Sequence, residues 1–193
     1  MKIASWNVNS LKVRLPQVLD WINLNQPDVL CLQETKQNND NFPHDVFEKR
    51  GLFSYHNGQN TYNGVAIISN KELIDVQFDI PNFYDEQKRL ISGIYPNDED
   101  PKIRVISAYI PNGQSLNSDK FEYKMNWLKS FINFLQTKID GIENIITGDF
   151  NIAPSALDCY DSKSWDGKIL VSPQEREYFD KLLNVGFIDT YRE

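Results

Sequence analysis

Cysteine is scarce in this 193-residue chain: Cys31 and Cys159 are the only two. That excludes a disulfide framework and a four-cysteine zinc site, and Cys31, inside the apolar run "DVLCLQ", is expected to be a buried thiol. Histidine is equally rare. His44 ("NFPHDVF") and His56 ("SYHNGQ") sit in loop-like or amphipathic surroundings and are read as surface residues. Long apolar runs are missing as well. No stretch approaches the roughly 18 residues of a membrane span, and "MKIASWNVNS" turns polar too soon for a signal peptide, so a cytosolic location is expected. Basic residues are outnumbered, with 20 Lys plus Arg against 27 Asp plus Glu and a net charge of −7. Bulk charge therefore does not hold the chain to nucleic acid. Any polyanion must meet a local basic patch or a metal cation held among the acids. Gly58, Gly64, Gly113 and Gly148 fit turns or close approach, and none forms a phosphate-cradling glycine motif.

What is present is enough for one domain over residues 1–193, with 40 % apolar and 12 % aromatic content. Short apolar runs alternate with a few longer amphipathic ones, the signature of a mixed α/β fold. The runs predict strands over 2–8, 28–35, 52–57, 64–69, 73–80, 90–96, 103–110 and 144–150. Helices are expected over 15–25, with Pro16 in a first turn, over 118–139, closed near Gly141, and over 172–186, where Ser172 and Glu175 have capping-box spacing. After Gly186 a new apolar run, "FIDTY", reads as the start of another strand.

Several strands end alike. "SWN" closes at Asn7, "CLQE" at Glu34, "SAY" at Tyr109 and "TGDFN" at Asp149 and Asn151. Taken singly, each acid or amide is a solvated cap or turn residue, and Tyr109 is half-buried packing. Strands lying side by side bring the five to one rim, and the strand period of two puts Asp149 and Asn151 on one face. Carboxylate and carboxamide oxygens without His or Cys suit a hard cation, Mg²⁺ or Mn²⁺, shared with a substrate phosphate.

In this order and spacing, "KIASWNVNSLKVRLPQVLDWI", "QPDVLCLQETK", "YNGVAIIS", "IRVISAYIPNGQ", "NIITGDFNIAPSALD" and "SPQEREYFDKLLNVGFIDTYR" resemble the exonuclease III family of DNA-repair nucleases. The resemblance implies a DNase I-like four-layer α/β/β/α sandwich. It also implies a metal-dependent phosphodiesterase that trims 3′ ends of duplex DNA, clears 3′ blocking groups and cuts beside abasic sites, acting as a monomer. By the same resemblance Glu34 is the principal metal ligand, with Asn7 and Asn9 beside it and Asp149 and Asn151 lining the metal site. Asp149 orients the attacking water or protonates the leaving oxygen, and Tyr109 and Asn151 are donors to the scissile phosphate. Lys36, Arg89 and Gln114 are DNA contacts, Arg89 as a phosphate clamp.

The chain departs from the family pattern twice. The family's "NGLR" reads "NSLK", placing Ser10 where glycine is usual and Lys12 where arginine is. The closing Ser-Asp-His motif and an earlier site Asp have no counterpart, which implies a C-terminally truncated member lacking strands, marginal in stability and weak in hydrolysis. Two alternatives follow. One is another phosphoesterase of the superfamily, such as a phosphoinositide phosphatase or sphingomyelinase. The other is an impaired fragment that binds DNA or metal without turnover.

Overall fold

The computed structural model describes residues 1–96, 102–138 and 141–193. It divides into two compact units, Met1–Tyr109 with Ile139–Asp149, and Ile110–Lys138 with Phe150–Glu193.

The first unit holds eight strands: β1 (Ile3–Asn7), β2 (Val29–Gln33), β3 (Phe53–Asn57), β4 (Val65–Ser69), β5 (Ile74–Phe78), β6 (Leu90–Tyr95), β7 (Ile103–Tyr109) and β8 (Glu143–Asp149). All eight expected strands form, each within two residues of the expected bounds. They make two four-stranded sheets, ordered β1-β2-β4-β3 and β5-β6-β7-β8. Each sheet contains one parallel pair, β1 with β2 and β7 with β8. Apolar residues of β2 (Val29, Cys31), β4 (Val65, Ile67), β6 (Ile91) and β7 (Val105) form one core cluster across both sheets. The intervening residues Leu30, Leu32, Ala66 and Ile68 meet Leu11, Val18 and Ile22 of helix α1 (Leu11–Asn25) and Phe47 of helix α2 (His44–Glu48). β2 and β4 are thus covered on both faces, which is why they read as unbroken apolar runs. Burial pushes the Cys31 thiol up to about 12, as befits a structural cysteine.

Helix α1 begins at Leu11, four residues before its expected start, so Pro16 lies inside the helix. The cause is a contact distant in sequence: Ser10 and Leu11 donate their N–H groups to the carbonyls of Glu34 and Thr35, at 2.7 and 3.0 Å. A neighbouring loop thereby satisfies donors that a helix start leaves orphaned.

The second unit holds α3 (Asp119–Gln136), α4 (Ser162–Trp165) and α5 (Pro173–Asn184). The long helix stops short of residue 139, itself outside the described residues. Ser118 caps α3 by accepting from Phe121 N–H, and Ser172 and Glu175 form the expected capping box on α5. α2 and α4, of five and four residues, carry no amphipathic period to read in advance. The run "FIDTY" does not form a strand. Among the described residues nothing pairs with it, and Ile188 and Tyr191 are exposed; a strand exists only beside a partner.

Candidate active site

Each sheet ends its parallel pair at the same kind of place. Asn7 and Gln33 are register partners at the carboxyl ends of β1 and β2, and Tyr109 and Asp149 are partners at the ends of β7 and β8. Glu34 follows directly on β2. The Asn7 amide group donates to Glu34 Oε1 at 2.9 Å and to Asp149 Oδ2 at 3.0 Å. The Tyr109 hydroxyl donates to Glu34 Oε1 at 3.1 Å. Two donors, Asn7 from one sheet and Tyr109 from the other, therefore meet the carboxylate pair of Glu34 and Asp149.

The backbone there is bent to deliver them. Asn9, Ser10, Glu34 and Lys36 all have positive φ, at 43°, 91°, 55° and 53°. Left-handed conformations in non-glycine residues cost energy and concentrate at functional sites. Below them lies a buried polar support that the strand-end reading misses: the Gln33 amide donates to Ser107 Oγ at 3.1 Å and to Ser5 Oγ at 3.2 Å. The signal for it is present in the sequence. Gln33 and Ser107 are polar residues within otherwise apolar strands, where burial demands a partner.

Electrostatically the cluster favours ionised Glu34. Burial opposes its charge, but hydrogen bonds from Asn7, Lys36 and Tyr109 outweigh it and hold the carboxyl below its usual range. Tyr109 moves the other way: burial first, then the charge of Glu34, pushes its phenol up to about 12. It is therefore a protonated donor at neutral pH. Lys36 places its ammonium 2.9 Å from Glu34 Oε2 and 2.5 Å from Asn9 Oδ1. Asn9 in turn donates its N–H to Asn7 Oδ1 at 3.1 Å. A positive charge is thus already held by oxygens of Glu34 and Asn9. One or two carboxylates with carboxamide oxygens, and neither His nor Cys, form a donor set that fits a hard divalent cation completed by phosphate.

Arg89, read as a phosphate clamp, is only 8 % exposed. Its guanidinium lies over the Tyr109 ring at 4.6 Å, and Nη1 donates to the Tyr109 carbonyl at 3.1 Å. Nε and Nη2 both donate to Gln87 Oε1, at 3.0 and 2.6 Å. In this placement it braces Tyr109.

His56 corrects the surface reading. It is 5 % exposed, stacked on Phe42 at 4.1 Å, with Nε2 paired to Thr35 Oγ1 at 2.8 Å. The Phe42 ring and the Thr35 hydroxyl enclose it despite its polar neighbours in sequence. His44 is exposed, as expected, and pairs with Ser54. Neither histidine is hydrogen-bonded to Asn7, Glu34, Tyr109 or Asp149.

Asn151 and Gln114 belong to the second unit. β8 ends at Asp149 and Asn151 has φ +49°, so the strand alternation that would align Asp149 with Asn151 stops before it is reached. The Asn151 amide donates to the Ile110 carbonyl at 2.9 Å, and its Oδ1 accepts from Asn112 Nδ2 at 3.3 Å. Gln114, also at positive φ, donates its N–H to Asn112 Oδ1 at 3.1 Å.

Residues 4–188 match the model of the endonuclease/exonuclease/phosphatase family. The whole chain aligns with exodeoxyribonuclease III of Haemophilus influenzae at 33 % identity over 202 residues, covering 75 % of that enzyme. Among solved structures, the Neisseria 3′ phosphatase NExo bound to a product DNA hairpin is similar at 42 % identity and a TM-score of 0.95, covering all of this chain and 74 % of that one. An AP endonuclease from Archaeoglobus fulgidus is similar at 34 % identity and a TM-score of 0.92, covering all of this chain and 73 % of that one. The fold is accordingly the mixed α/β, two-sheet, DNase I-like one expected. Strand ends, sheet pairing and sequence likeness agree, and the chain belongs to the endonuclease/exonuclease/phosphatase family, among the DNA-repair nucleases of exodeoxyribonuclease III type.

Proposed function

We propose that the Asn7, Glu34, Tyr109 and Asp149 cluster hydrolyses phosphodiester bonds of duplex DNA, at 3′ ends and beside abasic sites, with bound divalent metal, Mg²⁺ or Mn²⁺. The observation that carries this is the single Asn7 carboxamide linking Glu34 to Asp149, with the Tyr109 phenol on the same Glu34 oxygen. Glu34, with Asn7 and Asn9, would hold the metal. Such a cation supplies Lewis-acid stabilisation of the phosphate and offsets the chain's negative charge. Tyr109, kept protonated, donates to a phosphate oxygen as charge develops. Asp149 orients the attacking water or returns a proton to the leaving 3′ oxygen. Lys36, Arg89 and Gln114 as DNA contacts, and Asn151 as a phosphate donor, rest on the family resemblance, as do action as a monomer and a cytoplasmic site of action.

A second reading, binding of damaged DNA without turnover, is favoured by one feature. Among the described residues His56 and His44 pair with Thr35 and Ser54, so proton transfer is assigned to Asp149. A panel under single-turnover conditions, protein in excess, separates the readings. Abasic duplex, recessed 3′ ends, 3′-phosphate ends and an inositol phosphate are each incubated with Mg²⁺ or Mn²⁺. Metal-dependent nicking or trimming supports the nuclease. Retention of abasic duplex without cleavage supports the binding module, and phosphate release from the inositol phosphate alone supports another phosphoesterase.

A further inference from the structure

We propose that the buried Lys124–Glu175 ion pair is a positioning device for Asn151, a role that rests on Asn151 acting as a donor to the scissile phosphate. Both side chains are completely buried within the second unit, Lys124 from α3 and Glu175 from the first turn of α5. The Lys124 ammonium donates to Glu175 Oε1 at 2.5 Å, to the Asn151 carbonyl at 2.7 Å and to the Asn112 carbonyl at 3.3 Å. The opposite carboxylate oxygen, Glu175 Oε2, accepts from Ser172 N–H at 3.1 Å and from Ser172 Oγ at 2.7 Å. The pair is thereby anchored to the helix cap.

One charged atom thus ties together two loops distant in sequence, those carrying Asn112 and Asn151. The Asn151 backbone, at φ +49°, is in the left-handed region that asparagine tolerates, and several contacts hold it there. The imposed contacts are visible: Lys124 on its carbonyl, Ile110 O on its amide nitrogen, Asn112 Nδ2 on its amide oxygen. Gly113, at φ +88°, lets the Asn112 loop close over the ammonium's stem, since a Cβ there would lie 3.1 Å from Lys124 Cδ. Burying an ammonium and a carboxylate contributes little net stability compared with an apolar pair of the same volume. What the pair adds is direction: Glu175 Oε1 and the Asn112 and Asn151 carbonyls are gathered about one nitrogen, which no apolar pair reproduces.

The test is the double variant Lys124→Met with Glu175→Gln, which removes both charges while glutamine preserves the capping box. Expected are a loss of about 30- to 100-fold in kcat, a KM moved by less than about threefold and a Tm within a few degrees of the parent, the pattern of a lost transition-state interaction. Lys124→Arg, which retains the charge and several donors, is expected to restore most of kcat. A separate readout needs no turnover: in ¹H–¹⁵N NMR the Asn151 side-chain amide protons should exchange at least about tenfold faster in the double variant. If the parent cleaves no DNA, the functional reading fails while the exchange measurement still decides the positioning. Unchanged exchange, or kcat, KM and Tm deteriorating together without rescue by arginine, would overturn the proposal.

Discussion

The Asn7 carboxamide reaches Asp149 Oδ2 at 3.0 Å across 142 positions of sequence, joining the end of β1 in one sheet to the end of β8 in the other. The same nitrogen donates to Glu34 Oε1 at 2.9 Å. One neutral side chain therefore sets the spacing of two carboxylates that would otherwise repel. Asn7→Ala is expected to lower DNA cleavage by roughly 10- to 100-fold, as loss of a residue that orients metal-site carboxylates does. The same variant should need a higher Mg²⁺ concentration for half-maximal rate. Steady rates across a metal titration check both.

Tyr109→Phe removes the phenol proton while keeping the ring under Arg89. A drop of roughly 10- to 100-fold in kcat with little change in KM is expected, because the donor acts on charge that develops in the transition state. Equal loss in kcat and thermal stability would assign Tyr109 to packing instead.

Ser10 stands at φ 91°, a backbone conformation suited to glycine. Ser10→Gly should raise the unfolding free energy by about 0.5–1 kcal/mol, since relief of strain exceeds the added freedom of the unfolded chain. Ser10→Val should lower it. Urea denaturation at fixed m-value reads both.

Gly148 permits the closest approach within the second sheet: a Cβ there would fall 1.8 Å from the Ala108 carbonyl oxygen, its partner in the parallel β7–β8 register. Gly148→Ala is therefore expected to cost about 3 kcal/mol and to shift Asp149, the next residue, from Asn7. Thermal unfolding together with cleavage rate measures the two effects.

His56 gives the fold a specific acid sensitivity. Burial, reinforced by the charge of His44, pushes its imidazole down to about 3 from 6.5. The folded state thus favours the neutral ring, so its contribution is complete above pH 6.5 and is lost as pH falls toward 3, at up to about 1.4 kcal/mol per pH unit. His56→Gln should flatten the stability–pH curve in that window relative to the parent. Parallel slopes would contradict the burial of a neutral His56.

Much of this was legible in the residues. All eight strands declared themselves through apolar runs, and Asn7, Glu34, Tyr109 and Asp149 could be singled out because polar residues terminated four of those runs. Local pattern did not reveal contacts between distant segments. Helix α1 starts at Leu11 because Glu34 and Thr35 accept its first N–H groups. His56 is buried because Thr35 and Phe42 enclose it, although its neighbours are polar. Lys124 and Glu175 lie 51 positions apart on different helices, and only the fold places one against the other. The strand period invoked for Asp149 and Asn151 ends at Asp149, since the period of two holds only while the chain remains a strand.

The central claim, that Glu34 holds a catalytic cation for DNA hydrolysis, is tested most directly by single-turnover cleavage of an abasic-site duplex by the parent and Glu34→Gln across a Mg²⁺ titration. Cleavage that EDTA abolishes in the parent, and that falls by about 10³-fold in Glu34→Gln even at saturating Mg²⁺, is the expected result. Cleavage by the parent without metal, or an undiminished rate in Glu34→Gln, would contradict it.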